Sequence, residues 1–474
     1  MNPKFKYILG YFKTIYDVPD NISIGYGTTD QKINIHKSNT NYFDSLQPYS
    51  IENVKWRKWH NTTIPFLFDP SDEKEILEIR EEQAFVRYDI LASAFFFLSG
   101  WQEFVFMKQK KAWRYPFVES IQNKLNITHL PIVNYYFDIL KTAIEKTYNI
   151  QLQITNWENN EFGICLTHDI DQCETGWQED AFAQFKKLHL LSILKIFYQR
   201  IFKQDTWFNF NEILNIEKKF SAHSSFYFLS KNGKIYLDIN KLNAERNEND
   251  KKYKSYKKHS FFARYFGYPE VYENADYSIQ QNKFRKVFQE IQDRGSEIGI
   301  HGSITSHLSE DMIRQEIDDL STHIYGIRFH YLFFDRSRTF DILEKSGLKY
   351  DTTMGFSEKV GFRYGIAFPF VPYNISDNKP YSFMEIPLII MEMTYRVYKN
   401  TPVDQILPDI ISLMDEVQKF NGCLTILWHN SYFSPYKYAG WREIYESILR
   451  EGRNRKAGLF SGLQVGNQWS NILT

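Results

Sequence analysis

From about residue 156 onward the chain alternates short apolar runs with helical stretches, and most of the runs stop at an ionisable side chain. The runs are 162-FGICLT-167, 225-SFYFLS-230, 297-EIGIHG-302, 325-YGIRFH-330 and 423-CLTILWH-429. Helices are expected between them. Two examples are 281-QNKFRKVFQEIQDRG-295 and 404-DQILPDIISLMDEVQKFNG-422. In the second, Ile406, Ile410, Leu413, Met414, Val417 and Phe420 form one stripe, and Gly422 fits a C-terminal cap. Alternation of this kind builds a parallel sheet, either open or closed into a barrel. Such sheets gather catalytic groups at the carboxyl ends of their strands. Asp169 and Asp171 follow the first run, His301 ends the third, Arg328 and His330 end the fourth, and His429 ends the last. Four strands thus deliver ionisable groups to one expected edge.

A chain of 474 residues exceeds the size at which a single apolar core stops growing, so two domains are expected. Residues 1–155 read as a smaller mixed α/β domain. Strands and turns fill it to about residue 70, a helical stretch runs from Asp72 to Gln109, and another helix covers 130–150 with Pro131 near its start. Residues 156–474 carry the strand–helix unit, with an insert at about 231–275 that is a lid or a surface excursion. Lys+Arg and Asp+Glu each number 57, so no global field draws the chain to nucleic acid or anionic membrane. The one basic run, 251–258, reads as a solvated loop. Three cysteines without a C-x-x-C pair argue against a disulfide framework and a cysteine zinc site. The N-terminus lacks a secretory pattern, and the most apolar segment, 90-ILASAFFFLSGW-101, is too short to span a bilayer. The expected location is the cytoplasm.

The strand-end residues carry the chemistry. Asp169 and Asp171, two apart in an extended segment, project to one face. Two carboxylates that close repel, so a cation bound by one would leave the other as a base. His301 ends a buried strand and suits a metal. Arg328 can hold a carboxylate in its ionised state, and His330 points the same way. His429 can hand a proton to a leaving amine. Each signal alone also fits an ordinary turn, core histidine or salt bridge. Their order and spacing are more specific.

In that order, T-H-D-I-D at 167–171, H-G-S-I-T-S-H at 301–307, R-F-H-Y at 328–331 and L-W-H at 427–429 resemble the motifs of the polysaccharide deacetylase family. That family is also called carbohydrate esterase family 4, or the NodB-homology domain. The runs 225–230 and 296–302 resemble its second strand and its E-I-G-x-H. The resemblance covers about 156–440 and implies an α/β fold: a distorted (β/α) barrel of about seven strands, here preceded by the smaller N-terminal domain. It implies Asp169 as general base, oriented by Arg328, and His429 as general acid. It implies a divalent metal, zinc first among the candidates, on Asp171, His301 and a second histidine. The substrate it implies is an N-acetylated glycan. Three departures stand out. Ile170 separates the two aspartates. Thr305 occupies the place of the second metal histidine, leaving His307 or His330 as third ligand. His330 itself stands where the family has proline. The segments 350–356 and 361–365 resemble a bacterial surface-glycan subgroup with an N-terminal companion domain. Tyr331, Trp428, Arg363 and Asp351 are weaker substrate-binding candidates. The competing readings are a catalytically silent glycan binder on the same fold and a hydrolase of non-sugar amides or esters.

Overall fold

The computed structural model describes residues 2–39, 41–68, 73–110, 112, 114–154, 157, 159–237 and 270–470. Its main sheet has nine strands, numbered here within the sheet: β1 (Phe162–Ile170), β2 (Ser225–Leu229), β3 (Glu297–Gly302), β4 (Gly326–Phe329), β5 (Tyr350–Asp351), β6 (Met384–Glu385), β7 (Ile390–Met391), β8 (Cys423–Leu427) and β9 (Ala457–Phe460). Every pairing in it is parallel. Eight strands follow the order β6-β5-β4-β3-β2-β1-β8-β7, and β9 pairs with the first half of β1. β1, β2, β3 and β8 are buried along their whole length, as strands covered on both faces must be.

The two edges of this sheet, β6 and β7, are separated by only residues 386–389. One stretch of chain therefore bonds β5 with its first half and β8 with its second, and the sheet curls round on itself. Nine strands stand where about seven are expected. The additions include pieces only two residues long, which leave no alternation to read.

Ahead of the barrel lie a helix at Pro3–Ile15, a four-stranded sheet, a hairpin (Lys55–Trp59 with Thr62–Phe66) and helices at Ile90–Leu98, Trp101–Gln109 and Ile132–Tyr148. The helical expectation from Asp72 is corrected here. Leu77–Arg80 and Gln83–Val86 form an antiparallel pair turning at Glu81 (φ 50°), and helix starts only at Ile90, where Asp89 caps it by accepting from Ala92 N. Gly422 is not the helix cap either. Helix Val403–Lys419 ends at Phe420, and Asn421 takes the left-handed turn at φ 54°. Gly422 serves close approach instead, since a Cβ there would lie 2.5 Å from Ala367 O.

One apolar core runs from Phe5 through the N-terminal helices into the barrel and on to Trp469. Polar ties cross the same boundary. Tyr11 donates to Pro369 O at 2.6 Å, Ala367 N donates to Asn134 Oδ1 at 2.9 Å, and Arg336 donates to Ser99 O at 2.6 Å. The apolar segment at 90–98 is wholly buried in this core. Among the described residues no single helix is long and apolar enough to cross a membrane. Lys234–Leu237 and Glu270–Glu273 pair antiparallel at the base of the insert. The insert between them, with the basic run 251–258, lies outside the described residues.

Candidate metal and acid–base site

Alternation along β1 decides which side chains face the barrel interior. Thr167, Asp169 and Asp171 share one side, while His168 and Ile170 take the other. His168 faces a surrounding helix, its Nδ1 donating to Trp428 O (2.7 Å) and its Nε2 bonded to Glu217 Oε1 (2.9 Å). Thr167 and Asp169 meet Arg328. The guanidinium is fully buried, and its Nη1 donates to Asp169 Oδ1 at 3.0 Å and to Thr167 Oγ1 at 2.7 Å. Its remaining donors reach Thr352 O (2.9 Å) and Thr352 Oγ1 (3.0 Å), and it lies 5.1 Å from the Tyr227 ring. A planar fork held by four hydrogen bonds keeps Asp169 in one orientation.

Asp171, His301 and His330 converge, with candidate ligand atoms all within 4.8 Å of one another. Asp171 Oδ1 lies 3.2 Å from His301 Nε2 and 3.4 Å from His330 Nδ1. The other nitrogen of each ring is committed to a backbone carbonyl: His301 Nδ1 to Arg328 O at 2.7 Å, and His330 Nε2 to Glu273 O at 2.9 Å. A carbonyl only accepts, so each of those nitrogens carries the proton. The opposite nitrogens then present lone pairs to the site, 3.1 Å apart, beside a carboxylate oxygen that is buried and accepts no hydrogen bond. Three acceptors this close repel unless something positive sits among them. The donor set, one carboxylate and two imidazoles with fixed tautomers, fits a zinc-like divalent ion.

With no cation among them, the three groups shift one another's proton affinities. Burial would raise the Asp171 pKa, but His330, His301 and His429 outweigh it and hold the carboxyl well below its usual range. Burial would lower His301, yet Asp169 and Asp171 prevail and raise it. For His330 burial wins over Asp171, and its pKa falls to about 4.

His429 approaches from β8, with Nε2 3.6 Å from Asp171 Oδ2. Its Nδ1 bonds Glu392 Oε1 at 2.6 Å, and its backbone N–H reaches the same oxygen at 3.2 Å. Burial opposes charge on the ring, but fully buried Glu392 outweighs it and lifts His429 to about 10. Glu392 is the functional-site residue that sequence reading does not find. It follows the two-residue β7, where no pattern marks it.

The remaining candidates fall elsewhere. His307 does not join Asp171 and His301. The chain turns through Thr305 (φ 75°) into a short 3-10 turn, Ser306–Leu308, which buries His307 against the Phe329 and Phe333 rings. Burial there lowers its pKa to about 3. Trp428 has the opposite parity to His429 and packs on Trp441 and Tyr445 of helix Trp441–Asn454, away from the cluster. Arg363 is buried and forked onto Glu103 of the N-terminal region, at 2.8 and 2.7 Å. Asp351 is buried on β5, accepts from Thr353 Oγ1 at 2.6 Å, and is raised by burial beside Glu385. Tyr331 alone of these is exposed. It stacks on Phe333, and its ring lies 4.1 Å from that of His330.

Residues 4–149 match a family model described as a family of unknown function (DUF7033). No curated protein matches the chain. Among solved structures, the chain is similar to one assigned as a polysaccharide deacetylase from Mycobacterium smegmatis, at 12% identity over 67% of this chain and 94% of that one (TM-score 0.39). It is also similar to a CE4 family pseudoenzyme from Bacillus anthracis, at 11% identity over 65% of this chain and 66% of that one (TM-score 0.29). A third is the peptidoglycan deacetylase PdaC from Bacillus subtilis, at 14% identity over 67% of this chain and 95% of that one (TM-score 0.25).

Proposed function

We propose that the chain is a metal-dependent hydrolase that removes N-acetyl groups from a carbohydrate. The observation that carries this reading is the convergence of three candidate ligand atoms on Asp171, His301 and His330, flanked by a held carboxylate and a charged imidazole. Asp171, His301 and His330 would hold the ion. When bound, such an ion supplies a Lewis acid for the carbonyl and acidifies water. Asp169, fixed by Arg328, takes the proton of the attacking water. His429, kept protonated by Glu392, gives its proton to the departing nitrogen. A carboxylate fixed to take a proton and an imidazolium held ready to give one are what hydrolysis of an acetamide needs. The geometry by itself fits an amide or ester carbonyl, and the sugar comes from the motif resemblance. Tyr331, exposed beside His330, offers a flat face of the kind sugars stack on.

The test is elemental analysis of tag-free protein and of Asp171→Ala, followed by acetate release from N-acetylated glycans. One zinc-like ion per chain, lost in the variant together with acetate release, is the expected result. A wild type that stays empty after zinc is supplied would overturn the metal mechanism. A wild type that holds zinc but releases no acetate from glycans would overturn the substrate.

A further inference from the structure

Between β1 and β2 the chain makes a helical hairpin, Gly176–Lys186 followed by Leu190–Phe202. The second helix is amphipathic in the unexpected sense: its apolar stripe faces solvent. Leu190, Leu191, Leu194, Phe197, Ile201 and Phe202 are all exposed, from 43% to 77%. They recur at i, i+4, i+7 and i+11, one face of a helix, and at 100° per residue they cover an arc of about 140°. On the opposite side only Ile196 is fully buried. Phe182 and Phe185 on the first helix are exposed as well, at 55% and 61%. Scattered surface apolar residues are ordinary, but a continuous patch of this kind marks an interaction surface.

Charge selects the partner. Between Asp180 and Asp205 the chain has no acidic residue and five basic ones: Lys186, Lys187, Lys195, Arg200 and Lys203. Lys195 and Arg200 lie on either flank of the apolar arc. A second copy docked face to face would bring five like charges against five. A bilayer with anionic headgroups accepts both components, because apolar side chains enter the acyl boundary while lysine and arginine remain at the phosphates. A helix of 13 residues is too short to cross. We infer that this hairpin seats the protein on the surface of an anionic lipid bilayer, lying in the interface plane.

The hairpin is well anchored for that task. Asn430 Nδ2 donates to Gln172 O and to Trp207 O, both at 2.8 Å, pinning the two feet to the residue beside His429. Asp205 clamps the same feet, accepting from Trp177 N at 3.1 Å and Trp207 N at 2.9 Å. Gly176 lies so close to Trp207 that a Cβ would sit 2.2 Å from the ring. The hairpin leaves the barrel five residues after Asp171, so its feet stand at the end of the barrel that carries the donor cluster.

The test is flotation of the full-length protein with vesicles of phosphatidylcholine, with or without phosphatidylglycerol, at low and high salt. The variants are L194E/I201E and K195E/R200E. All four residues are exposed, so thermal unfolding midpoints should match wild type and certify the fold. The expected result is flotation of wild type with the anionic vesicles, at least a tenfold loss of the bound fraction in L194E/I201E, and a salt-sensitive loss in K195E/R200E. Wild type that stays in the soluble fraction, or L194E/I201E that floats like wild type, would overturn the inference. So would a wild-type dimer that ignores vesicles and becomes a monomer in L194E/I201E, which would assign the patch to self-association. Acetate release plays no part in this readout, so it stands or falls apart from the hydrolase reading.

Discussion

The third donor is the sharpest point at which sequence and geometry diverge, and replacing either histidine separates them. His330→Ala removes one of three converging ligand atoms. Four-ligand zinc sites hold their ion with about 10–16 kcal/mol, so one ligand is worth about 2.5–4 kcal/mol. At about 1.4 kcal/mol per decade, the expected loss of zinc affinity is about a hundredfold or more. The carbonyl of Glu273, which fixes the His330 tautomer at 2.9 Å, would lose its partner at the same time. His307→Ala instead deletes a ring packed on Phe329 and Phe333. Its expected cost is about 1–3 kcal/mol of fold stability, with zinc affinity unchanged within a few fold. Competition against a chromophoric zinc chelator at neutral pH reads the affinities, and urea unfolding reads the stabilities. Loss of zinc in His307→Ala with retention in His330→Ala would refute the assignment.

Glu392→Gln should lower the turnover number by about 10²–10⁴-fold and bring the alkaline limb of its pH profile down, because His429, which burial alone would lower and Glu392 lifts to about 10, would then shed its proton earlier as pH rises. An unchanged profile would remove Glu392 from the reaction. Arg363→Met leaves fully buried Glu103 without its forked partner and should cost about 3–5 kcal/mol in urea unfolding. The Glu103→Leu/Arg363→Met pair should recover most of that. Glu316 is buried, is bonded by Ser303 N at 3.2 Å and by Ser303 Oγ, and is raised by burial to about 7 from 4.5. A carboxyl with raised affinity for its proton makes the fold lose stability as pH climbs from about 4.5 to about 7, by about 3 kcal/mol. Glu316→Gln should flatten that slope, as unfolding at pH 5 and pH 8 will show.

Much of this site could be read in advance because strands have a period of two. Once 162–170 is recognised as a strand, Asp169 and Asp171 fall on one face and His168 on the other, and the same parity turns Trp428 away from His429. The residues that escaped reading do so for identifiable reasons. Glu392 follows a stave of two residues with no alternation. His330 directly follows β4, whereas His307 lies beyond a loop after β3, and the left-handed turn at Thr305 in that loop sets its destination. The Glu103–Arg363 pair joins residues 260 apart, which no local pattern encodes. The outward stripe on Leu190–Phe202 has the same spacing as a core helix, and only the packed barrel reveals which way it faces.

The N-terminal helix has a consequence for how the chain must be made. Tyr11 and Tyr7 donate to Pro369 O and Val371 O, partners 358 and 364 residues downstream. At about 5–20 residues per second, a ribosome takes roughly 20–70 s to supply them. For that interval the two tyrosines lack their barrel partners, while Phe5 and Phe12 have Tyr26 and Phe137 of the N-terminal region to rest on. The helix thus waits for part of its packing, and this nascent chain is a natural client for whatever shields apolar segments at the exit of the ribosome.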